Sequence, residues 1–266
     1  MHTQNRLTER LQLGLLRLLY GARGPIKTHG LFVLGMHRSG TSCLTGLLET
    51  SGVQLCRVPR WNRFNPRGNL EDDRVWTLNE RILRRLGGSW RQPPAVVPEG
   101  AAAWAELRAA LQPYTRLEPW AIKDPRMVLT LHLWLPVVRH YRFVGTFRHP
   151  IAVAESLRTR NKMPLEEGIA LWLKYNRRLI QWHERFGFPL VSFDLQGDAY
   201  LAQYRALCEQ IGLAYRAEQA ERFYCSGFVK HGVSPTARLR GEVAETYEYL
   251  CRYAISGPSE RTRRAG

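Results

Sequence analysis

Gly35-Met-His-Arg-Ser-Gly-Thr-Ser42 has the residue types and spacing to hold an anion. The apolar run Leu31–Leu34 leads into it, and Leu44, Leu47 and Leu48 follow at helical spacing. A strand, a glycine-bounded loop and a helix start form a phosphate cradle, because unpaired amide N–H groups and the helix dipole both favour negative charge there. The nucleotide-hydrolysing form of this cradle reads G-x-x-x-x-G-K-[ST]. Here Gly35 and Gly40 hold the glycine places and Ser42 the last, but Thr41 stands where the lysine belongs and the cation comes earlier, as Arg38. A cradle without the lysine that reaches terminal phosphates predicts nucleotide binding for something other than ordinary ATP chemistry.

Two further clusters carry reactive groups. Arg148 is followed by Ser156 on the next helical stretch; a guanidinium offers a bidentate fork to phosphate and a hydroxyl adds one more donor. Two carboxylates stand close to cations: Glu71, in Asn65-Pro-Arg-Gly-Asn-Leu-Glu71 just before a helix, and Asp124, in Lys123-Asp-Pro-Arg126. Glu71 is either a proton acceptor or a first-turn acid favoured by the helix dipole. Asp124 is either a proton acceptor or the buried partner of Lys123 or Arg126.

The elements that must position these groups alternate. Strands are expected at Leu31–Leu34, Pro119–Lys123, Arg142–Phe147 and Leu190–Phe193, with helical spacing between them and a long helix over about 164–186. That alternation predicts an α/β fold of P-loop-like, three-layer type: a central parallel sheet with helices on both faces. Ligands in such sheets sit beyond the carboxyl ends of the strands, which is where Gly35–Ser42, Lys123–Arg126 and Arg148–Ser156 fall. The expected organisation is an N-terminal amphipathic helix and linker over 1–29, one domain over 30–256 and a basic tail over 257–266.

With 39 Lys and Arg against 23 Asp and Glu, the net charge is +16, which implies an anionic partner. No nucleic-acid-binding motif accompanies it. Arg57, Arg60, Arg63 and Arg67, interleaved with Trp61 and Phe64, form a basic-aromatic loop expected at a substrate entrance or as a solvated lid. Five scattered cysteines without a C-x-x-C pair predict neither a disulfide framework nor a zinc site, and a reducing, cytoplasmic setting follows. The leucine-rich stretch Leu7–Tyr20 is interrupted by Glu9, Arg10 and Arg17; it is too broken to span a bilayer and is expected to pack on the domain, with peripheral membrane contact as the alternative.

With these residues in hand, the chain resembles the PAPS-dependent sulfotransferases (PAPS is 3′-phosphoadenosine 5′-phosphosulfate), in particular the bacterial-type group whose first loop reads G-M-H-R-S-G-T-S. The likeness covers roughly residues 30–195. It implies that Arg38, Ser39, Gly40, Thr41 and Ser42 wrap the 5′-phosphosulfate, that Arg148 and Ser156 hold the 3′-phosphate, and that no metal is required. It implies sulfuryl transfer to a hydroxyl or amine, with Arg38 steadying the charge and Glu71 or Asp124 taking the proton. The Arg-Lys-Gly element of cytosolic members has only Lys230, Arg238 and Arg240-Gly241 as counterparts here. The acceptor is expected to be a glycan, glycolipid or small metabolite, acidic or carbohydrate in character. The alternatives are a P-loop kinase with Asp124 on magnesium, and a non-catalytic binder of acidic polymers.

Overall fold

β1 (Ile26–Leu34) forms the centre of a sheet whose strands all run parallel, with β3 (Trp120–Lys123) on one side and β4 (Val138–Phe147) on the other. The short β2 (Gln54–Leu55) pairs outside β3 and β5 (Leu190–Ser192) outside β4, giving the order β2-β3-β1-β4-β5. The computed structural model describes residues 25–61, 67–225 and 239–255. The expected helix over Leu7–Tyr20, the tail over 257–266, and Arg63, Phe64, Lys230 and Arg238 lie outside the described residues.

Alternation along β1 explains why helices cover both faces. Phe32 and Leu34 join one core with Ile122, Phe143 and the inner faces of α2 (Asp73–Arg85), α4 (Met127–Trp134), α5 (Pro150–Asn161) and α6 (Leu165–Phe186). Leu31 and Val33 join the other with α1 (Thr41–Thr50), α7 (Gly197–Ile211) and α8 (Ala217–Cys225). A strand buried on both faces is the usual condition of a parallel sheet. The short α3 (Trp104–Ala110) packs near α2, and α9 (Gly241–Tyr253) lies against α6 and β5.

β1 starts earlier than the apolar run suggested. Ile26 pairs with Val138 and His29 with His140, so residues 26–29 belong to the sheet rather than to a linker. From β1 the chain leaves toward β2 and β3, whereas from β4 it leaves toward β5. The crevice between these diverging connections, beyond Leu34 and Phe147, is where such a sheet places its ligand.

Candidate active site

Two glycines shape the loop after β1. A Cβ on Gly35 would come within 2.5 Å of the Thr146 carbonyl on β4, so only glycine lets the loop run this close to the neighbouring strand. Gly40 has φ 82° and precedes α1; a Cβ there would meet the Phe193 ring at 2.2 Å. Arg38, also left-handed at φ 68°, projects from the turn between them. Such a conformation in a non-glycine residue persists where its surroundings enforce it, most often at functional sites. Thr146 Oγ1 donates to the Ser39 carbonyl at 2.9 Å and pins the loop to β4.

The first and second clusters meet. Arg38 Nε donates to Ser156 Oγ on α5 at 2.8 Å, joining residues 118 apart in sequence. Arg148, at the end of β4, lies within electrostatic reach of Arg38, and Arg160 projects from α5 one turn beyond Ser156. Burial, then Arg160 and Arg148, bring the Arg38 guanidinium down to about 10. Arg148 and Arg160 are lowered too, again by burial first, with Asp194 and Glu71 opposing the shift respectively. Three guanidiniums thus lie partly out of water, and at Arg38 the like charges of Arg160 and Arg148 add to the effect of burial. An anion is the ligand such a region stabilises.

The third cluster is ordered by α2. Asp72 caps that helix by accepting from Arg74 N at 3.0 Å and also receives the Tyr114 hydroxyl at 3.0 Å. Leu70, buried and left-handed at φ 55°, turns the chain so that the neighbouring Glu71 faces the loop. Ser42 Oγ donates to the Asn69 carbonyl at 2.9 Å, tying this turn to the start of α1. Glu71 Oε1 accepts from Lys123 Nζ at 2.8 Å, and Glu71 Oε2 lies 4.0 Å from Arg126 Nη1. Asp124 is fully buried: Oδ2 accepts from Asn79 Nδ2 at 2.7 Å, and Oδ1 from Arg126 N at 3.1 Å and Arg126 Nη1 at 2.8 Å. Arg126 Nε also reaches Glu80 at 2.7 Å.

A cavity of about 220 Å³ opens between the loop after β1 and the third cluster. Arg38, Thr41, Ser42 and Glu71 line it, together with Lys123 and Arg126; Asp124, Arg148 and Ser156 do not. Ser39, within the loop, is fully buried, and its hydroxyl finds no partner among the described residues. A larger cavity of about 670 Å³ opens at the opposite end of the sheet, beside His29, Glu118 and His140, and none of the sequence motifs lines it. Of the basic-aromatic loop, Arg60 forks onto Glu49 at 2.6 and 2.7 Å, Arg67 lies over the Phe223 ring, and Trp61 is 69% exposed. Arg240 is exposed at the start of α9.

Among the groups lining the cavity that the sequence did not single out are His37, Trp90, Arg160 and Asn161. The His37 ring packs on Trp90 with centroids 4.4 Å apart and meets the edge of Tyr175 at 5.9 Å. Arg160 could have been found from its place four residues after Ser156, on the same helix face. Among the described residues no group of His, Cys, Asp or Glu is arranged to hold a metal, and no helix is long and apolar enough to cross a membrane.

A family model described as "Sulfotransferase family" matches residues 30–217. Among solved structures, the chain is similar to the sulfotransferase domain from the Synechococcus PCC 7002 olefin synthase, at 18% identity and a TM-score of 0.52, over 86% of this chain and 96% of that one. It is also similar to sulfotransferase STF1 from Mycobacterium tuberculosis H37Rv, at 14% identity and a TM-score of 0.41, over 84% of this chain and 75% of that one. At 18% identity the likeness to the olefin synthase domain speaks to the fold alone. No curated protein matches the chain.

Proposed function

Because this chain belongs to the sulfotransferase family, we propose that it moves a sulfuryl group from PAPS to a hydroxyl or amine of a glycan, glycolipid or small metabolite. The observation that carries the donor assignment is the bond from Arg38 to Ser156 with Arg148 in electrostatic reach. A nucleotide with phosphate at both its 5′ and 3′ positions presents two anionic ends, and this arrangement offers two linked cationic places. The orphaned Ser39 hydroxyl, between left-handed Arg38 and Gly40, fits a loop built around an anion.

The chain's own groups divide the work. Backbone amides at the start of α1, with the Thr41 hydroxyl, hold the 5′-phosphosulfate, and Ser42 joins them by turning its O–H away from the Asn69 carbonyl. Arg148 forks onto the 3′-phosphate. Ser156 accepts from Arg38 Nε, so its own O–H remains to be donated to that phosphate. Arg38 keeps its two terminal nitrogens for the sulfuryl and bridging oxygens. Glu71 lines the cavity and receives the proton of the attacking hydroxyl; its bond from Lys123 fixes its direction. The new bond forms between acceptor oxygen and sulfur as the bond from sulfur to the phosphate oxygen breaks, releasing 3′-phosphoadenosine 5′-phosphate (PAP). Asp124 orients Arg126 and touches neither reactant. Catalysis is by positioning and electrostatics, with side-chain cations in the place of magnesium.

Trp90 supplies an aromatic wall to the cavity, as ring-stacking acceptors require. The free thiols Cys43, Cys56, Cys208 and Cys251 fit a reducing, cytoplasmic setting. The test is incubation of the purified chain with PAPS labelled in sulfur and a panel of sugar, phenol and amine acceptors. Label is expected in a product ester or amide with wild type and about 10²–10⁴-fold more slowly with Glu71→Gln. Label transferred equally by both enzymes removes Glu71 from the mechanism. The absence of transfer to any acceptor class, with PAP bound normally, overturns the acceptor assignment.

A further inference from the structure

His37 belongs to the anion loop, yet nothing in the mechanism above uses it. Its ring stands in the cavity wall between Trp90 and Tyr175, directly before Arg38. Its Nδ1 is buried and has no hydrogen-bond partner among the described residues. A buried polar atom without a partner is uncommon in folded proteins and points to a group that arrives later. Next along the loop after Arg38, the Ser39 hydroxyl is orphaned in the same way. Two unpartnered polar groups thus flank the cation of an anion cradle.

Every element around His37 brings charge to it. Arg38 comes from its own loop, Lys123 from the end of β3, Arg126 from the start of α4 and Arg160 from α5. Glu71, before α2, is the one carboxylate lining the same cavity. Tyr175 of α6 stays neutral, its hydroxyl pushed up by burial and donated to the Trp90 carbonyl at 3.0 Å.

Resting on the donor assignment above, we infer that His37 is a further catalytic residue: it takes up a proton when the anionic donor fills the loop, and then stands as a cation beside the transferring group. In the free protein, burial first and then Arg126, Lys123, Arg160 and Arg38 hold the imidazole well below its ordinary range, so it is neutral. An anion within about 4–6 Å reverses the balance, moving such a titration by about one to three pH units. The proton comes from solvent on binding and returns to solvent when PAP leaves. During transfer it stays on the ring, while the acceptor's own proton goes to Glu71. The added charge is oriented before the reaction, in a site shielded from water, where electrostatic stabilisation of developing charge is largest.

The sign follows from linkage. A group whose titration is raised by the ligand strengthens binding as pH falls through the bound value, and the gain levels off below the free value. PAP affinity of wild type, His37→Asn and His37→Phe is therefore measured by calorimetry from pH 8 to pH 5.5. Between pH 8 and pH 5.5 wild type is expected to gain about tenfold in affinity over and above the change that either variant shows. In wild type alone, ring-nitrogen NMR of the eight histidines should show one ring that becomes imidazolium at a higher pH with PAP bound than without it. Parallel affinity curves, or eight unchanged rings with PAP bound, overturn the inference and leave the donor assignment standing. If PAP does not bind at any pH, the donor assignment falls and this inference with it.

Discussion

Replacing Asp124 with asparagine separates a structural carboxylate from a chemical one. Asp124 Oδ2 accepts from Asn79 Nδ2 at 2.7 Å, whereas Asn79 Oδ1 already receives the Thr130 hydroxyl at 2.8 Å and the Trp134 indole N–H at 2.9 Å. In Asp124→Asn, the new side-chain carbonyl can keep Arg126, but its NH₂ then faces the NH₂ of Asn79. Turning Asn79 over relieves that clash only by abandoning Thr130 and Trp134. One buried donor is left unpaired, at about 1–3 kcal/mol, and the Arg126 guanidinium loses its fully buried counter-charge. Removing one partner of a buried ion pair costs about 3–5 kcal/mol in all. At roughly 2–4 °C per kcal/mol for a domain of this size, the melting temperature should fall by about 6–20 °C. Thermal unfolding by circular dichroism reads this directly, and added PAP should still raise the melting point because the donor-side residues are elsewhere. A variant that melts within about 2 °C of wild type, binds PAP and has lost turnover would refute the reasoning and make Asp124 the proton acceptor.

The donor and acceptor sides should respond separately. Arg148→Ala is expected to weaken PAP binding about 30- to 150-fold, corresponding to about 2–3 kcal/mol for one charge-assisted phosphate contact; calorimetry with unchanged affinity would remove Arg148 from the 3′-phosphate site. Glu71→Gln should keep PAP affinity within about twofold of wild type while losing turnover by about 10²–10⁴-fold, as expected for general-base assistance; a comparable loss of PAP affinity would place Glu71 on the nucleotide instead. Gly40→Ala should lose about 1–3 kcal/mol of stability from its left-handed backbone, with more from the 2.2 Å approach to Phe193; chemical denaturation showing wild-type stability would mean that the turn relaxes freely.

What could be read from residue order was local. The cradle was legible because Gly35, Gly40 and Ser42 lie within a few residues of each other. The parallel sheet was legible because the apolar runs ending at Leu34 and Phe147 are short and separated by helical spacing. The first half of β1 was not: Lys27, Thr28 and His29 carry no apolar signal, and pairing with β4 makes them a strand. The surroundings of Asp124 could be narrowed to an ion pair or a base, but its partner Asn79 comes from a helix 45 residues away. Trp90 follows Gly87-Gly88, a pair that signals only where a helix stops. It reaches His37 because the Tyr175 hydroxyl, 85 residues on, holds its carbonyl at 3.0 Å. Groups brought together by such long-range packing leave no periodicity or spacing to detect.

We propose that the cradle and Arg148 together recognise a nucleotide carrying phosphate at both its 5′ and 3′ positions, without a metal. Titration calorimetry of the full chain against PAP in a chelating buffer, beside ADP in that buffer and ATP with magnesium, tests it in one series. One-to-one binding of PAP is expected with the chelator present, with ADP weaker by about 30- to 150-fold for want of the 3′-phosphate. Tighter binding of magnesium-ATP than of PAP, or equal binding of PAP and ADP, would contradict it.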